Sequence, residues 1–417
     1  MANAFKLTQK VANRLLLILK NNLVMAKLVD SRFNTEFPGV GGNGEVPIGD
    51  TITIRRSPLF TVSNGASFVA QDITVGSTTL VINQQKHVGI TLSDFERILD
   101  YDGDGFLKDA VANARMSSLA QQVDSDLAGD ILGFPGFVGT AKNKISTIAG
   151  FNAMPNRLDN MAVPSSDRNA VLTPDDWWAL AGAFTGTIPY DNSVNRTALE
   201  KAMLPMIGDV SPFKTQSIVT LVNGTATNGA MNGASQNVTY ATAKDTYTQN
   251  IIANGFGANA TIKKGQVFTI ASVYAVNPRT QAKLTYLQQF TVTADTTADG
   301  TGAVAALPIT PPIITSGAYQ TVDSVPGSTA AITWFGAAGD TIYNNAVFHK
   351  EAIKLAWVRP AKPHTGEFTY AEDPDTGISL RLWAFSDGTQ DTHSYRADII
   401  YGHGAVDARL GVRGNGA

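Results

Sequence analysis

Residues 83–105 read NQQKHVGITLSDFERILDYDGDG and separate an extended run of the chain from a long helical pattern. The run before them, from about residue 78 to 92, is typical of a strand. A short helix is predicted over Asp94–Leu99. Beyond it, apolar residues recur at helical spacing: Leu107, Val111, Ala114, Leu119, Val123, Leu127 and Ile131. Roughly 27 residues at 1.5 Å each predict a rod of about 40 Å, which is long for a globular helix.

The segment DYDGDG has the pattern of the first half of an EF-hand calcium loop. Asp100, Asp102 and Asp104 take loop positions 1, 3 and 5. Position 9 is Lys108, whose charge opposes a cation, and position 12 is Val111, which cannot supply the bidentate carboxylate. The sequence therefore favours a turn in which Asp102 or Asp104 caps the long helix. A cation held by the three carboxylates stays open as the weaker alternative.

Composition limits the class of protein. The chain has 417 residues, enough for two or three domains, with 16% charged residues and a net charge of −3. Few charges indicate a surface that is largely covered, for instance by neighbouring subunits, and the net charge argues against condensing nucleic acid. Cysteine is absent, which excludes disulfides and thiolate metal sites. The apolar run Leu15–Leu19 is too short for a signal peptide or a membrane span, so we expect a soluble protein made inside the cell.

An amphipathic helix is predicted over residues 4–27. Its apolar positions are Leu7, Val11, Leu15 and Ile18, and a basic stripe of Lys6, Lys10 and Arg14 lies beside them. Two interpretations are open: a helix packed on its own domain, or an arm that docks on another chain.

Two extended runs, at about 46–56 and 78–92, bound residues 57–77, which we call the excursion. The excursion is rich in Gly, Ser and Thr, and residues 57–85 contain no lysine. Before it, Gly39, Gly41 and Gly44 match GxGxxG. A dinucleotide site needs that motif between a strand and a helix, whereas here it precedes a strand, so no cofactor is expected.

The middle of the chain alternates helix and strand. A short strand at RNAVLTP is followed by a helix that Thr173 caps, with Pro174 at its first position and Asp175 and Asp176 in its first turn. Of Trp177 and Trp178, one is expected in the core. Glutamate is then absent from residue 201 to 350, and strands are predicted at VFTIASVYAV, KLTYLQQFTVT and AVAALPI. This composition indicates an all-β module inserted into an α+β chain.

The C-terminal part is predicted to contain a helix at Asn344–Leu355 and then two antiparallel strands joined by a turn at Asp387-Gly388. The glycine-rich end shows no globular signal.

Signs of catalytic chemistry are few. The histidines lack zinc-ligand spacing: His87, His349, His364, His393 and His403. Asp387, Asp391 and His393 form the best candidate for a metal or acid–base site, yet polar residues are expected in a hairpin turn anyway. Lys263-Lys264 and Arg55-Arg56 are too small to be nucleic-acid patches and are predicted to be solvated. We therefore expect no catalytic, cofactor-binding or metal-binding residues, and no enzyme.

Four stretches carry a resemblance to a known family: NQQKHVGITLSDFERILD, RNAVLTPDDWWAL, NNAVFHKEAIKLAWVRPAKP and RADIIYGHGAVDARLGVRG. With the order of the parts, they resemble the major capsid proteins of tailed bacteriophages, which have the Hong Kong 97 phage fold. The resemblance is greatest to the coat proteins of short-tailed Salmonella phages, which carry an inserted β-barrel domain.

The resemblance implies an α+β fold with six parts: an N-terminal arm (1–44), an E-loop (45–92), a peripheral domain with a spine helix (93–134), a first axial part (135–215), an inserted β-barrel-like domain (216–340), and a return to peripheral strands and a tail (341–417). It implies hexamers and pentamers of an icosahedral shell around double-stranded DNA, assembled in the bacterial cytoplasm with a scaffolding and a portal protein and without membrane. Because some shells of this fold crosslink through an E-loop lysine, the lysine-free excursion predicts a non-crosslinked shell. The basic stripe is expected to contact an acidic region of the scaffold.

Alternatives are an encapsulin-like cage of the same fold and, with less support, a β-rich adhesin or polysaccharide-active enzyme.

Overall fold

The structure is a computed structural model that describes residues 2–33, 51–62, 65–66, 68, 70–71, 73–93, 104–187, 204–390 and 392–416. The chain divides into two compact units. Unit 1 comprises Met1–Ile52, Thr79–Leu127 and Ile353–Gly404; unit 2 comprises Thr53–Thr78, Ala128–Ala352 and Ala405–Ala417. The described α-helices are α1 (Ala2–Asn22), α2 (Met25–Leu28), α3 (Asp104–Asp130), α4 (Ile148–Asn160), α5 (Pro174–Thr187) and α6 (Tyr240–Ala243).

The strands outnumber the helices. They are β1 (Thr51–Arg55), β2 (Ser77–Val81), β3 (Gln84–Ser93), β4 (Gly136–Val138), β5 (Arg168–Leu172), β6 (Val210–Lys214), β7 (Thr220–Val222), β8 (Gly229–Met231), β9 (Gln249–Asn254), β10 (Thr261–Ile262), β11 (Val267–Val276), β12 (Lys283–Val292), β13 (Thr296–Thr297), β14 (Val304–Thr310), β15 (Ala331–Trp334), β16 (Thr341–His349), β17 (Ile353–Val358), β18 (Glu367–Glu372), β19 (Ser379–Asp387), β20 (Thr392–Ala405) and β21 (Gly411–Gly416).

Unit 1 is built on an antiparallel sheet in the order β17-β20-β19-β18, with β3 paired to β20. The predicted C-terminal hairpin is confirmed as β19 and β20, which pair from Arg381↔Asp398 to Asp387↔Thr392. The long helix is confirmed as α3, which has 27 residues. Two contacts tie α3 to this sheet: the Tyr401 hydroxyl donates to Asp126 Oδ2 over 2.6 Å, and the Lys86 ammonium lies 3.0 Å from the same oxygen.

The N-terminal helix packs on its own unit, which confirms the first of the two interpretations. Gln9 Nε2 donates to the Tyr370 carbonyl over 2.9 Å, and Lys20 Nζ lies 2.8 Å from Asp373. Its apolar face is not the predicted one, however. The buried side chains at its C-terminal end and beyond are Ala12, Leu15, Leu16, Leu19 and Leu23, whereas Val11 is 38% exposed. These buried positions follow helical spacing from Ala12, so they form one stripe that lies beside the predicted stripe and shares Leu15 with it.

Unit 2 contains a mixed sheet in the order β4-β21-β16-β5-β6, with β7 also paired to β16. The predicted helix at Asn344–Leu355 is wrong: β16 runs to His349, a single turn of 3-10 helix follows, and β17 begins at Ile353. The last six residues of β16 are all buried, because β5 and β21 flank it. These six residues combine the polar Asn344, Asn345 and His349 with three apolar residues, so they do not alternate as a half-buried strand does, and periodicity alone cannot distinguish them from a buried helix.

The inserted all-β module is confirmed as a closed barrel in the order β11-β12-β14-β9-β8-β15. We call residues 229–334 the barrel module. Its core is aromatic: Phe268 packs edge-on against Trp334 with ring centroids 5.1 Å apart, and Phe268 stacks with Phe290 at 5.7 Å. The three longest strands were all predicted from their runs of β-branched and aromatic residues.

The C-terminal segment is not the unstructured tail that its glycines suggested. Strand β21 pairs antiparallel with β16 and parallel with β4. Gly414 lies against Met154, where a Cβ atom would be 2.4 Å from the sulfur, so a larger residue would displace the Met154 side chain. The sequence therefore uses small residues here to fill a crowded sheet centre.

Arg413, in the same strand, is fully buried. Its guanidinium donates to the Phe134 carbonyl at 3.0 Å, the Gly265 carbonyl at 2.8 Å, Asn344 Oδ1 at 3.4 Å and Thr291 Oγ1 at 3.0 Å. Gly265 and Thr291 belong to the barrel module, so this one side chain links the barrel to the mixed sheet within unit 2.

The start of α5 agrees with prediction. The Asp176 amide donates to Thr173 Oγ1 over 3.1 Å, and the Thr173 hydroxyl donates to Asp176 Oδ2 over 2.6 Å. Asn345 Nδ2 also donates to that carboxylate at 2.7 Å, which joins the helix start to β16. Trp177 is buried and Trp178 is 56% exposed, so one tryptophan belongs to the core as expected.

Candidate assembly surfaces

The excursion carries the most exposed apolar side chains of the described residues. Val62 and Phe68 are each 91% exposed, Ile73 is 69% exposed and Phe60 is 53% exposed. Burying one such side chain is worth about 1.5–3 kcal/mol, and exposed apolar groups close together mark interaction sites. The sequence prediction missed these residues because Gly, Ser and Thr dominate the excursion; Phe60 and Phe68 were the available signal.

Hydrogen bonds join the outgoing and returning segments of the excursion. Gln71 Oε1 accepts from the Thr61 amide at 2.9 Å and Gln71 Nε2 donates back to the Thr61 carbonyl at 2.5 Å. These bonds hold the outgoing and returning segments together. They leave the apolar side chains on either side directed into solvent.

The junction between α1 and α2 rests on a buried carboxylate of α3. Asp124 accepts from the Val24 amide over 2.8 Å and from the Ala26 amide over 3.4 Å. Burial raises the pKa of Asp124 to about 6, although these amides and Lys27 act in the opposite direction. Asp124 therefore caps α2 from another element and anchors the turn that follows α1.

The basic stripe is described in part. Lys10 and Arg14 are exposed on α1, and the side chain of Lys6 lies outside the described part of the chain. Two cationic side chains thus remain accessible on the outer face of this helix.

The calcium-like segment lies mostly outside the described residues. Asp100 and Asp102 are not described, and Asp104 is described only as the first backbone position of α3. The GxGxxG glycines Gly39, Gly41 and Gly44 also lie outside. Among the side chains that the structure does describe, no three His, Asp or Glu residues are grouped as a metal site would require.

The candidate site at Asp387, Asp391 and His393 lies in the hairpin between β19 and β20, and its described side chains bond to residues of that hairpin. His393 Nδ1 is 2.7 Å from Ser386 Oγ, and Asp387 Oδ1 accepts from the Thr389 amide over 2.9 Å. Asp391 is outside the described residues. Another histidine is similarly engaged: His349 Nδ1 accepts from the Glu351 amide at 3.2 Å. These contacts are those of turn and strand-end residues.

The two basic pairs have different surroundings. Lys263 Nζ lies 2.8 Å from Asp295, and the Lys264 amide donates to the same carboxylate, which lowers the pKa of Asp295 through these bonds. Arg56, by contrast, is not the solvated charge that was predicted. Its Nη1 donates to the Lys244 carbonyl at 3.3 Å and its guanidinium lies 5.2 Å from the Tyr247 ring.

A small cavity of about 50 Å³ lies within unit 2, between α4, the barrel module and the base of the excursion. Arg157 lines it, stacked 3.3 Å over the Tyr286 ring and donating to Gln289 Oε1 at 2.8 Å. Gln289 in turn bonds both the amide and the carbonyl of Phe137 at 2.7 Å. The cavity is far smaller than the roughly 300–1,000 Å³ of typical ligand sites. Its polar groups join α4 and β4 to the barrel.

None of the helices in the described ranges is long and apolar enough to cross a membrane.

Comparison with solved structures gives global matches of low sequence identity, with TM-scores below 0.5. A chain from Mycobacterium phage Che8 is 12% identical, with 95% of this chain and 92% of that chain covered and a TM-score of 0.48. The capsid of Ralstonia phage GP4 is 10% identical over 93% of this chain and 91% of that chain, with a TM-score of 0.45. A virus-like particle from Pyrococcus furiosus is 8% identical over 98% of both chains, with a TM-score of 0.37. Among curated proteins, none matches the chain.

Comparison with family models is decisive. The model described as P22 coat protein, gene protein 5, matches residues 1–414, which is nearly the whole chain. The matched range includes the excursion, the long helix, the barrel module and most of the C-terminal strand. The chain therefore belongs to the P22 coat protein family, has the Hong Kong 97 phage fold and is a major capsid protein of a phage shell.

Proposed function

We propose that this major capsid protein forms the hexamers and pentamers of an icosahedral shell that encloses double-stranded DNA. The exposed apolar residues of the excursion carry the proposal. Val62 and Phe68, each 91% exposed in the subunit, lose their contact with water if a neighbouring subunit covers them. Heterologous contacts of this kind, repeated by rotation, close into rings.

We also propose that the protein is not an enzyme and binds no cofactor or metal. The described polar clusters support this because their groups bond to one another or to backbone atoms, as at Asp387 and His393. The small size of the cavity beside Arg157 points the same way. These features fit a protein whose chemistry is adhesion between copies.

The partners and the location extend the same proposal. A scaffolding protein directs assembly in the bacterial cytoplasm, a portal protein takes one vertex, and the DNA is enclosed without sequence-specific contacts. The parts then follow the predicted boundaries: arm 1–44, E-loop 45–92, peripheral 93–134, axial 135–215, insert 216–340 and return 341–417. An acidic scaffold segment contacts the basic stripe, of which Lys10 and Arg14 are exposed on α1.

The test of shell formation uses the double variant Val62→Ser and Phe68→Ser. Both side chains are solvated in the subunit, so its stability should change by no more than about 0.5 kcal/mol, as checked by circular dichroism. Co-expression with the scaffolding protein is expected to give shells from the wild type and few or none from the variant in electron microscopy. If the variant forms shells as abundantly as the wild type does, Val62 and Phe68 have no role in the contact between subunits. A wild type that stays a monomer would refute shell formation.

The scaffold contact has its own test. Substituting Lys6, Lys10 and Arg14 with Gln removes the positive charge while keeping helix-forming residues. We expect procapsids with much less scaffolding protein, measured by gel densitometry of purified particles. Procapsids that contain the normal amount of scaffolding protein would refute the contact between the basic stripe and the scaffold.

A further inference from the structure

The base of the excursion is gripped by residues of the barrel module in the same chain. We call the following residues the clasp: Arg56, Leu59, Thr74, Gly76 and Ser77 at the base of the excursion, with Tyr240, Lys244, Asp245 and Tyr319 of the barrel module. All of them belong to unit 2.

Tyr319 bridges the two sides of the base with one hydroxyl. The hydroxyl accepts from the Leu59 amide, on the outgoing side, at 3.2 Å. It donates to the Thr74 carbonyl, on the returning side, at 2.9 Å. Because both partners are backbone atoms, this bridge fixes the path of the chain regardless of the side chains farther out.

The Tyr319 ring is itself held in place. It stacks on Tyr240 with ring centroids 3.5 Å apart and an interplanar angle of 3°. Burial raises the pKa of Tyr240 to about 12, so that phenol is neutral at physiological pH. Tyr240 is the first residue of α6, which places the ring pair beside Lys244 and Asp245.

The returning side of the base fits against the segment after α6. The Ser77 amide and hydroxyl each donate to Asp245 Oδ1 at 3.2 Å. Gly76 is buried, and a Cβ atom there would lie 2.1 Å from the Lys244 carbonyl oxygen. That approach requires glycine. The Arg56 amide completes the base by donating to the Gly76 carbonyl at 2.9 Å.

Charged groups reinforce the outgoing side. Two guanidinium groups lie over the ring of Tyr247: that of Arg56, 5.2 Å from the ring centroid, and that of Arg409, 5.5 Å from it. Asp407 pairs with Arg409 at 2.6 Å, which compensates one of the two positive charges. The base of the excursion is thus held to the barrel module by one cation–aromatic contact and five hydrogen bonds, whereas Val62 and Phe68 at the far end of the excursion are solvated.

We propose that the clasp is a conformational device by which the barrel module sets the direction in which the excursion leaves its own subunit. The proposal rests on the proposed function, because the direction matters only if the excursion reaches a neighbouring copy. The inserted module then controls shell geometry through an intrachain contact. Loosening the clasp frees the excursion to swing about β1 and β2 without changing any residue that it presents.

The test compares two clasp variants with one control. Tyr319→Phe removes the bridging hydroxyl and keeps the ring stack. Gly76→Ala forces the base away from the Lys244 carbonyl. Gly327→Ala is the matched control, because a Cβ atom there meets no atom within 4 Å and its backbone is not in the left-handed region. If Gly76→Ala fails to fold, Tyr319→Phe alone decides the outcome.

Hydrogen–deuterium exchange of the unassembled subunit reports the clasp directly. The Arg56, Leu59 and Ser77 amides are donors within it, and we expect them to exchange roughly tenfold faster in both clasp variants, since one lost hydrogen bond has about that effect. Barrel amides such as Ile251 should be unchanged, and Gly327→Ala should match the wild type throughout. Unchanged exchange at the base would overturn the proposal.

Electron microscopy of co-expressed shells tests the consequence. We expect the clasp variants to give a broadened distribution of shell diameters or open sheets, and Gly327→Ala to give wild-type shells. If the clasp variants exchange faster and still form shells of normal diameter, the clasp does not control shell geometry. A wild type that forms no shell would refute the proposed function, whereas the exchange result on the subunit is independent of it.

Discussion

Arg413 shows how a single side chain can join two parts of a molecule. It is fully buried, its acceptors are two carbonyls, an amide oxygen and a hydroxyl, and burial lowers its pKa to about 9. The pKa remains above neutrality, so the guanidinium is a cation at pH 7. Sequence reasoning missed it because the surrounding glycines indicated a loose tail. The available signal was a lone arginine directly after an apolar residue, Val412.

Replacing Arg413 with Met is expected to lower the free energy of unfolding by about 2–4 kcal/mol. Each buried acceptor left unsatisfied costs about 1–3 kcal/mol, and removing the cation returns part of its desolvation cost. Urea unfolding followed by circular dichroism measures the change. Arg279→Met is the control, because Arg279 is exposed, and it should change stability by less than about 0.5 kcal/mol. Equal effects of the two substitutions would contradict the role of Arg413.

Asp124 predicts a pH dependence. Its pKa is raised from 3.8 to about 6 in the folded chain, chiefly by burial. Between these pH values the folded state holds a proton that the unfolded state has lost, so this group makes stability fall as pH rises from about 4 to 6. The difference corresponds to about 3 kcal/mol. Asp124→Asn does not titrate and should therefore gain stability relative to the wild type over this range.

Urea unfolding of both proteins at pH 4, 5, 6 and 7 checks this prediction. Effects of all other titrating groups cancel in the difference between the two proteins. A difference in unfolding free energy that stays constant over this range would show that Asp124 ionises normally.

At the scale of elements, α1 depends on the face that it buries. Leu19 is fully buried and Leu17 is 57% exposed, although they are two positions apart. Leu19→Ala is expected to cost about 2–5 kcal/mol because it leaves a cavity, whereas Leu17→Ala should cost less than about 0.5 kcal/mol. Thermal or urea unfolding separates them. Similar losses would mean that α1 contributes little to the packing of unit 1.

Element prediction succeeded where local signals were unambiguous. Thr173, Pro174 and Asp176 define the start of α5 through capping and dipole effects, and the runs of β-branched residues define the long barrel strands. The prediction failed at β16. Its polar residues Asn344 and Asn345 do not indicate a buried strand, yet both are buried between neighbouring strands. Long-range pairing with β5 and β21 decided that segment, and no local pattern contains that information.

At the scale of the whole molecule, the order of parts and four sequence stretches predicted the family that the match over residues 1–414 shows. The assembly surface was only half predicted. The excursion was expected, but the contacts of Tyr319 and Gly76 at its base were not, because these residues meet partners about 170–260 positions away in the chain. Contacts of that kind follow from tertiary structure.

A chemical consequence concerns shell crosslinking. The excursion lacks the lysine that crosslinking would need, since residues 57–85 contain none. Purified shells boiled in SDS are therefore expected to give one band at the subunit mass of 44.2 kDa. A ladder of SDS-resistant oligomers would contradict this expectation.

Electron microscopy of the wild-type chain, co-expressed with the scaffolding protein, tests the central claim most directly. We expect closed icosahedral shells in which the density of this chain fills both hexamers and pentamers, with the excursion lying against a neighbouring subunit. A monodisperse monomer that persists with the scaffolding protein present would contradict the claim.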